Sequence, residues 1–431
     1  MSKSAELDVH RRLGISRFQF TVALLSALVL FLDGFDTQAI NYAIPMISRE
    51  WNLPPATLGP IFSSALVGLM VGYLALSPLS DRFGHKRITV LSTEAFGLFT
   101  LATLAASSLS QLIALRFLTG LALGAAAPAV VALTDEFSPC SLRATFVLAI
   151  YCGFSLGFIA AGFAAADLMA ANGWRSLFWV GAVLPLLLCP VLVFAMPESH
   201  DFLARTERAA GRTKVALDPV PDFGLRLAAA FDFLREGRAA GTTLLWLVFA
   251  INLAAFYLLQ SWLPTLLTQL HRNLGTTAAA TSLSTVGGIA TAFVVGPAMD
   301  RLGACRSLAG VYGVGAVGVA LLGAALPSPA WQLYLATFCA GFCISGGQKS
   351  AIALATLFYP SHVRSTGVGW ALGIGRVGGI GGPLLAGALL GAGWSPVALF
   401  HVVAIGMVIA ALATAAIGSR HVWALTPGKR A

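Results

Sequence analysis

Between Glu50 and Asp81 the chain runs thirty residues without a charged side chain, and between Arg143 and Asp167 another twenty-three. Two longer charge-free stretches, 307–348 and 377–419, are each broken once, at Pro327-Ser328-Pro329 and at Gly393-Trp394-Ser395-Pro396. A helix needs about 20 mostly apolar residues to cross a bilayer, and in lipid it must satisfy its backbone polar groups internally. These runs therefore restrict the chain to an all-α integral membrane protein. Composition agrees: 10% of the residues are charged and 57% hydrophobic, where soluble proteins carry about 25% charged residues. The apolar runs predict twelve transmembrane helices, at roughly 18–42, 57–80, 88–107, 111–135, 143–166, 175–196, 241–268, 277–299, 305–326, 330–357, 363–391 and 395–418.

The net charge of +9 is a matter of topology. With both termini placed inside, 21 of the 27 Lys and Arg residues fall on one side of the predicted membrane. This is the positive-inside bias that orients a membrane protein, and no nucleic-acid partner is expected. The basic N-terminus followed by an apolar run is read as a retained first helix, since no small-residue cleavage site follows. Both termini are thus expected on the cytoplasmic face of the inner membrane. Five of the six cysteines lie in or beside spans and Cys140 in an inner loop, without the spacing of a metal site. No metal, catalytic residue or cofactor is expected. The seven histidines are scattered, so no enzyme constellation is visible.

The chain repeats itself. Asp81-Arg82-Phe-Gly84 after the second span matches Asp300-Arg301-Leu-Gly303 after the eighth, 219 residues later. Pro139-x-x-x-Arg143 matches Pro360-x-x-x-Arg364, and Gly120 matches Gly341, both at an offset of 221. Two pseudo-symmetric six-helix bundles follow, at 1–196 and 241–431, joined by a charged cytoplasmic connector at 197–240 that is expected to carry a short interfacial helix. Parallel repeats of this kind place a substrate site between the halves, near the membrane midplane.

Asp33 and Asp36 lie inside the first apolar run. An ionised group at that depth is costly, so such acids mark ion or proton pathways. Three residues apart on a helix, they share a face. Desolvation drives a carboxyl toward its neutral form, which makes it a proton carrier, and Asp33 is the better candidate because it is nearer mid-span. Glu94, in the inner third of the third span, is a candidate proton-exit partner. Three cations also lie within spans: Arg116, Lys349 and Arg376. Arg376 is favoured to hold a carboxylate, since a guanidinium stays charged and binds bidentately. Lys349, beside Gln348, is a second candidate. Arg116 either serves a substrate or pairs with Asp33 or Asp36 across the bundle. Tyr257 and Trp370 are candidate walls for an aromatic ring. The Asp81-Arg82-x-Gly84-x-Lys86-Arg87 segment and its copy at Asp300, Arg301 and Gly303 are expected to latch conformations, with Arg143 after the fourth span and Arg364 after the tenth as further gating residues.

On these motifs, with Arg116-Phe-Leu-Thr-Gly120-Leu-Ala-Leu-Gly124, nearly the whole chain resembles the major facilitator superfamily. Within it, four stretches resemble the aromatic acid:proton symporter family. They are Asp33-Gly-Phe-Asp36, Leu142-Arg143-Ala-Thr145, Tyr359-Pro-Ser-His-Val-Arg364-Ser-Thr-Gly367-Val-Gly369 and Gly375-Arg376-Val-Gly378-Gly-Ile-Gly-Gly382-Pro383. The resemblance implies proton-driven uptake of small aromatic carboxylates such as benzoate or hydroxybenzoates, by a carrier that works as a monomer and needs Asp33 and Asp36. Ser77, His85 and Lys349 depart from the family's usual residues. Two rival readings are an efflux antiporter of the same fold and a symporter of another organic acid. The antiporter is disfavoured because 143–166 contains no proline to form the kink such carriers usually have. Gly373-x-Gly375-x-x-Gly378 fits a dinucleotide fingerprint, yet no strand precedes it. Gly120-x-x-x-Gly124 and Gly153-x-x-x-Gly157 read as packing seams.

Overall fold

The computed structural model describes residues 16–139, 143–200, 202–203, 239–359 and 364–420. Among them run twelve long helices and no strand. The first half holds α1 (Arg17–Glu50), α2 (Pro55–Val71), α3 (His85–Thr103), α4 (Leu109–Phe137), α5 (Arg143–Ala164) and α6 (Arg175–Ala195). The second holds α7 (Ala239–Gln269), α8 (Leu274–Leu302), α9 (Ala304–Ala325), α10 (Ala330–Phe358), α11 (Arg364–Gly391) and α12 (Pro396–Arg420). Two rods are longer than these bounds. A π-helical turn, Gly72–Leu76, carries α2 into Ser77–Phe83, and another, Ala165–Met169, carries α5 into Ala170–Asn172. The connector residues 204–238, with the interfacial helix expected there, and Cys140 lie outside the described residues.

Ten of the helices are long and apolar enough to cross a membrane. The two that fall short carry charged or strongly polar residues: α3 opens on His85-Lys86-Arg87 and holds Glu94, and α10 holds Gly346-Gly347-Gln348-Lys349. Some helix starts follow capping chemistry. Ser16 and Gln19 form a reciprocal capping box before α1, at 3.1 and 3.0 Å. Asn273 accepts the Thr276 N–H at 2.6 Å before α8.

Two structural differences from the sequence expectation matter. The helix α1 continues through Pro45 to Glu50, beyond the predicted end at 42. The segment expected as a loop around Asp81 is almost entirely helical. The second rod runs to Phe83, α3 begins at His85, and Gly84 alone makes the turn, with φ 100° and ψ 139°. Gly303 does the same between α8 and α9, with φ 92° and ψ 144°. A side chain is disfavoured at that φ, so both turns need glycine.

The chain forms two compact units, one of residues 1–43 and 64–216 and the other of 44–63 and 217–431. The α1–α2 hairpin tip thus belongs to the second unit. There Phe62 packs edge-on against Trp262, with centroids 5.4 Å apart, and the Ser63 hydroxyl donates to the Ile380 carbonyl at 2.8 Å.

The repeat is visible in how helices touch. A Cβ on Gly68 would collide with the Phe117 carbonyl, and one on Gly120 with the Ala65 carbonyl, so α2 and α4 meet backbone to backbone. The same contacts recur 219 to 221 residues on, where Gly287 meets Phe338 and Gly341 meets Ser284, joining α8 to α10. Gly157 against Phe31 joins α5 to α1, and its copy, Gly378 against Ala250, joins α11 to α7. The glycine-rich stretch of α11 that mimics a nucleotide fingerprint is one side of this seam. Missing side chains let the rods approach and pack over long surfaces.

Candidate functional site

In the first unit the acids of α1 meet a cation. Arg116 on α4 is fully buried, and its Nη1 donates to both Asp36 oxygens, at 3.0 Å to Oδ2 and 3.2 Å to Oδ1. Its Nη2 donates to the hydroxyls of Thr103 (3.2 Å) and Thr119 (3.3 Å). Those hydroxyls point their own protons at backbone carbonyls one turn back, Phe99 and Leu115, and so offer lone pairs to the guanidinium. Thr100 donates to Asp36 Oδ1 at 3.1 Å. The Phe178 ring of α6 lies 5.1 Å from the guanidinium carbon, a cation–π contact. A buried pair is tolerated only when hydrogen bonds satisfy what its partner does not. Three threonines of α3 and α4 supply them to Asp36 and the two Nη atoms, and the α6 ring covers the guanidinium, while Arg116 Nε has no hydrogen-bond partner among the described residues.

Asp33 is 4% exposed and Asp36 2%. Thr37 donates to Asp33 Oδ1 at 3.4 Å. Further along α1, Asn41 donates to Gln38 at 2.9 Å. Glu94 sits elsewhere. On α3 it shares the exposed face with Leu91 and Leu98, whereas Thr93, Phe96 and Thr100 form the buried face. The structure therefore does not join Glu94 to the Asp33–Asp36 cluster. To meet a substrate Arg116 would have to release Asp36.

The second unit presents its cations differently. Arg376 on α11 is half-buried and donates to the Tyr257 hydroxyl of α7 at 2.9 Å. Gly379, one turn beyond Arg376, makes this possible, since a Cβ there would stand 2.8 Å from the Tyr257 ring. Lys349 is exposed and donates to the Gly288 carbonyl at 3.2 Å, with half-buried Gln348 beside it. The preceding glycines set their direction. A Cβ on Gly346 would strike Thr291, and one on Gly347 would meet the Tyr312 ring at 2.6 Å. The Tyr312 hydroxyl and the Asn252 amide then hold the α10 carbonyls of Gly347 (3.2 Å) and Ile344 (3.0 Å). Trp370 stacks on Trp246, centroids 6.0 Å apart and planes inclined by 23°, nearly two turns before Arg376.

At the Gly84 turn, the Glu198 carboxylate accepts the Lys86 N–H at 3.0 Å and caps α3. It lies so close to Gly84 that any side chain there would displace it. Glu136 accepts the His200 N–H at 2.6 Å, tying α4 to the same end. Arg82, Arg87, Arg301 and Gly303 are exposed, and a Cβ on Gly303 would meet nothing within 4 Å. The side chains of Asp81, Arg143, Asp300 and Arg364 lie outside the described residues.

Repeated helical units holding buried, paired charge at mid-helix are the architecture of a membrane carrier. The model of the Major Facilitator Superfamily matches residues 26–289 and again 245–422. The 4-hydroxybenzoate transporter PcaK of Pseudomonas aeruginosa is 39% identical over 419 residues, covering 94% of this chain and 92% of the relative. A gallate transporter of Pseudomonas putida is 36% identical over 420 residues, covering 94% and 93%. Among solved structures, a bacterial homologue of the lysosomal transporter Spinster superposes with a TM-score of 0.75 at 15% identity, over 96% of this chain and 99% of that one. That likeness speaks for the fold alone. The chain belongs to the Major Facilitator Superfamily and, within it, to the aromatic acid:proton symporter family; it is a transporter, not an enzyme.

Proposed function

We propose that this protein imports small aromatic carboxylates together with protons across the cytoplasmic membrane, acting as a monomer with both termini inside. The observation that carries the reading is the pair of buried acids on α1, of which Asp36 is already held by Arg116. Asp36 keeps its charge compensated and fixes α1 to α3 and α4. Asp33, one turn away, takes up and releases the coupling proton. Arg376, which donates to the Tyr257 hydroxyl, receives the substrate carboxylate, and Lys349 supports it. The substrate class is that of the relatives, transporters of 4-hydroxybenzoate and of gallate. Electrostatics favour symport. Moving one negative charge into a negative-inside cell costs about 2.3 kcal/mol per 100 mV, and one co-transported proton removes that cost. The proton gradient is the only energy source required, with no further cofactor.

The test is uptake of radiolabelled 4-hydroxybenzoate into proteoliposomes, with and without a protonophore. Accumulation is expected to collapse to equilibration when the protonophore is added. Asp33→Asn is expected to abolish accumulation while leaving counterflow exchange measurable. Accumulation that survives either treatment would refute the coupling.

A further inference from the structure

Buried polar atoms without hydrogen-bond partners gather on one face of the second unit. Gln260 on α7 is 2% exposed, and its Oε1 has no partner among the described residues. Its Nε2 donates to the Thr285 hydroxyl of α8 at 3.4 Å. One turn along α8 from Thr285, Gly288 lacks a side chain and so admits Ser345 of α10, whose hydroxyl is also buried and without a partner. The Ser282 hydroxyl, one turn the other way, is in the same condition. A buried polar group left unpaired costs about 1–3 kcal/mol. Such groups are few in native structures, and each is accounted for by a bound water, stored strain or a ligand.

These atoms adjoin the proposed carboxylate grip. Arg376 is bonded to Tyr257, and Tyr257 precedes Gln260 by three residues on the same face of α7. The axial rise between them is about 4.5 Å, a span that one aromatic ring bridges. Lys349 is bonded to the carbonyl of the Gly288 that receives Ser345. A ligand held by its carboxylate at Arg376 would present the far edge of its ring to Gln260, Thr285 and Ser345.

We propose that Gln260, positioned by Thr285 and flanked by Ser345, recognises a ring hydroxyl, so that the substrate is a phenolic acid rather than an unsubstituted aromatic acid. This rests on the carboxylate-import reading above. A phenol both donates and accepts, so it serves the Gln260 amide in either orientation. A site built to hydrogen-bond a hydroxyl discriminates strongly against the analogue that lacks it, because its own polar groups are left unpaired.

The experiment measures initial uptake rates of 4-hydroxybenzoate, its para-fluoro analogue and benzoate in proteoliposomes. The wild-type protein is expected to prefer the hydroxylated acid by roughly 10-fold or more in kcat/KM. Gln260→Leu is expected to bring that ratio close to one, chiefly by slowing the hydroxylated acid. Thr285→Val and Ser345→Ala, smaller changes that keep the ratio readable should Gln260→Leu fail to fold, are expected to lower it several-fold. A wild-type protein that carries the fluoro analogue as well as the hydroxylated acid overturns the proposal. So does a ratio unchanged across the variants. Failure to carry any of the three acids would instead overturn the import reading on which the proposal depends.

Discussion

The two units share one scaffold and differ in the chemistry placed on it. Glycine seams join α2 to α4 and α1 to α5 in the first, and the copies join α8 to α10 and α7 to α11 in the second. At Asp33 the copy 219 residues on is Asn252, which cannot ionise. Arg116 is neutralised by Asp36 inside a box of threonines, whereas Arg376 donates to a phenol and Lys349 to a backbone carbonyl. Duplication preserved the contacts that set helix spacing, while the polar side chains diverged, to Asp33 and the Asp36–Arg116 pair in the first unit and to Asn252, Arg376 and Lys349 in the second.

The largest expected break in this comparison is Arg116→Ala, which leaves Asp36 buried and uncompensated. It should lower the stability of the first unit by about 3–5 kcal/mol, read by thermal unfolding in detergent, and abolish transport. Replacing the pair together, Asp36→Leu with Arg116→Met, should recover most of that stability, since apolar residues of similar size often substitute for buried pairs. If transport returned as well, the ion pair would have no part in the mechanism. Arg376→Gln should act oppositely, leaving the melting temperature nearly unchanged while KM rises roughly 10–100-fold, the equivalent of about 1.5–3 kcal/mol for a charged hydrogen bond.

The seams provide an internal control. Gly120→Ala and Gly341→Ala each drive a methyl into a neighbouring carbonyl, and each should cost about 1–3 kcal/mol. Similar losses in the two variants would confirm that the repeat is mechanical, and a loss confined to one would break it. The smallest effect is expected at the turns. Glu198→Ala removes a helix cap and should cost about 1 kcal/mol while slowing turnover more than it changes KM. Glu198→Gln should restore part of the rate. Among the described residues, the second unit offers no counterpart to test at Gly303, around which a Cβ would find open space.

Much of this architecture was legible in the sequence, because apolar runs and a fixed offset are long-range signals. The offset of 221 between Gly120 and Gly341 became a pair of matching backbone contacts. What escaped were features built from short or distant partners. The segment around Asp81 reads as a loop because its charges suggest an aqueous turn, yet one glycine turns the chain and the charged residues sit on helix ends. Arg116 could be matched to either acid of α1, since both share a face, and only side-chain placement selects Asp36. Thr100, Thr103 and Thr119 pass for packing residues in an apolar helix. Glu198 meets an N–H 112 residues away, and no local pattern marks such a pair. Glu94 is an acid in a span, and which face of α3 carries it, the exposed one, is not legible from its position in the sequence.

The seams have a consequence for redesign. Each is a contact between a missing side chain and a main-chain carbonyl, so helix spacing does not depend on what the inward residues of α7, α8 and α10 happen to be. Libraries at Gln260, Thr285 and Ser345 can therefore be made broad without loosening the rods that hold them. Such a frame suits the evolution of new substrate ranges, provided Gly287, Gly341 and Gly378 are left untouched.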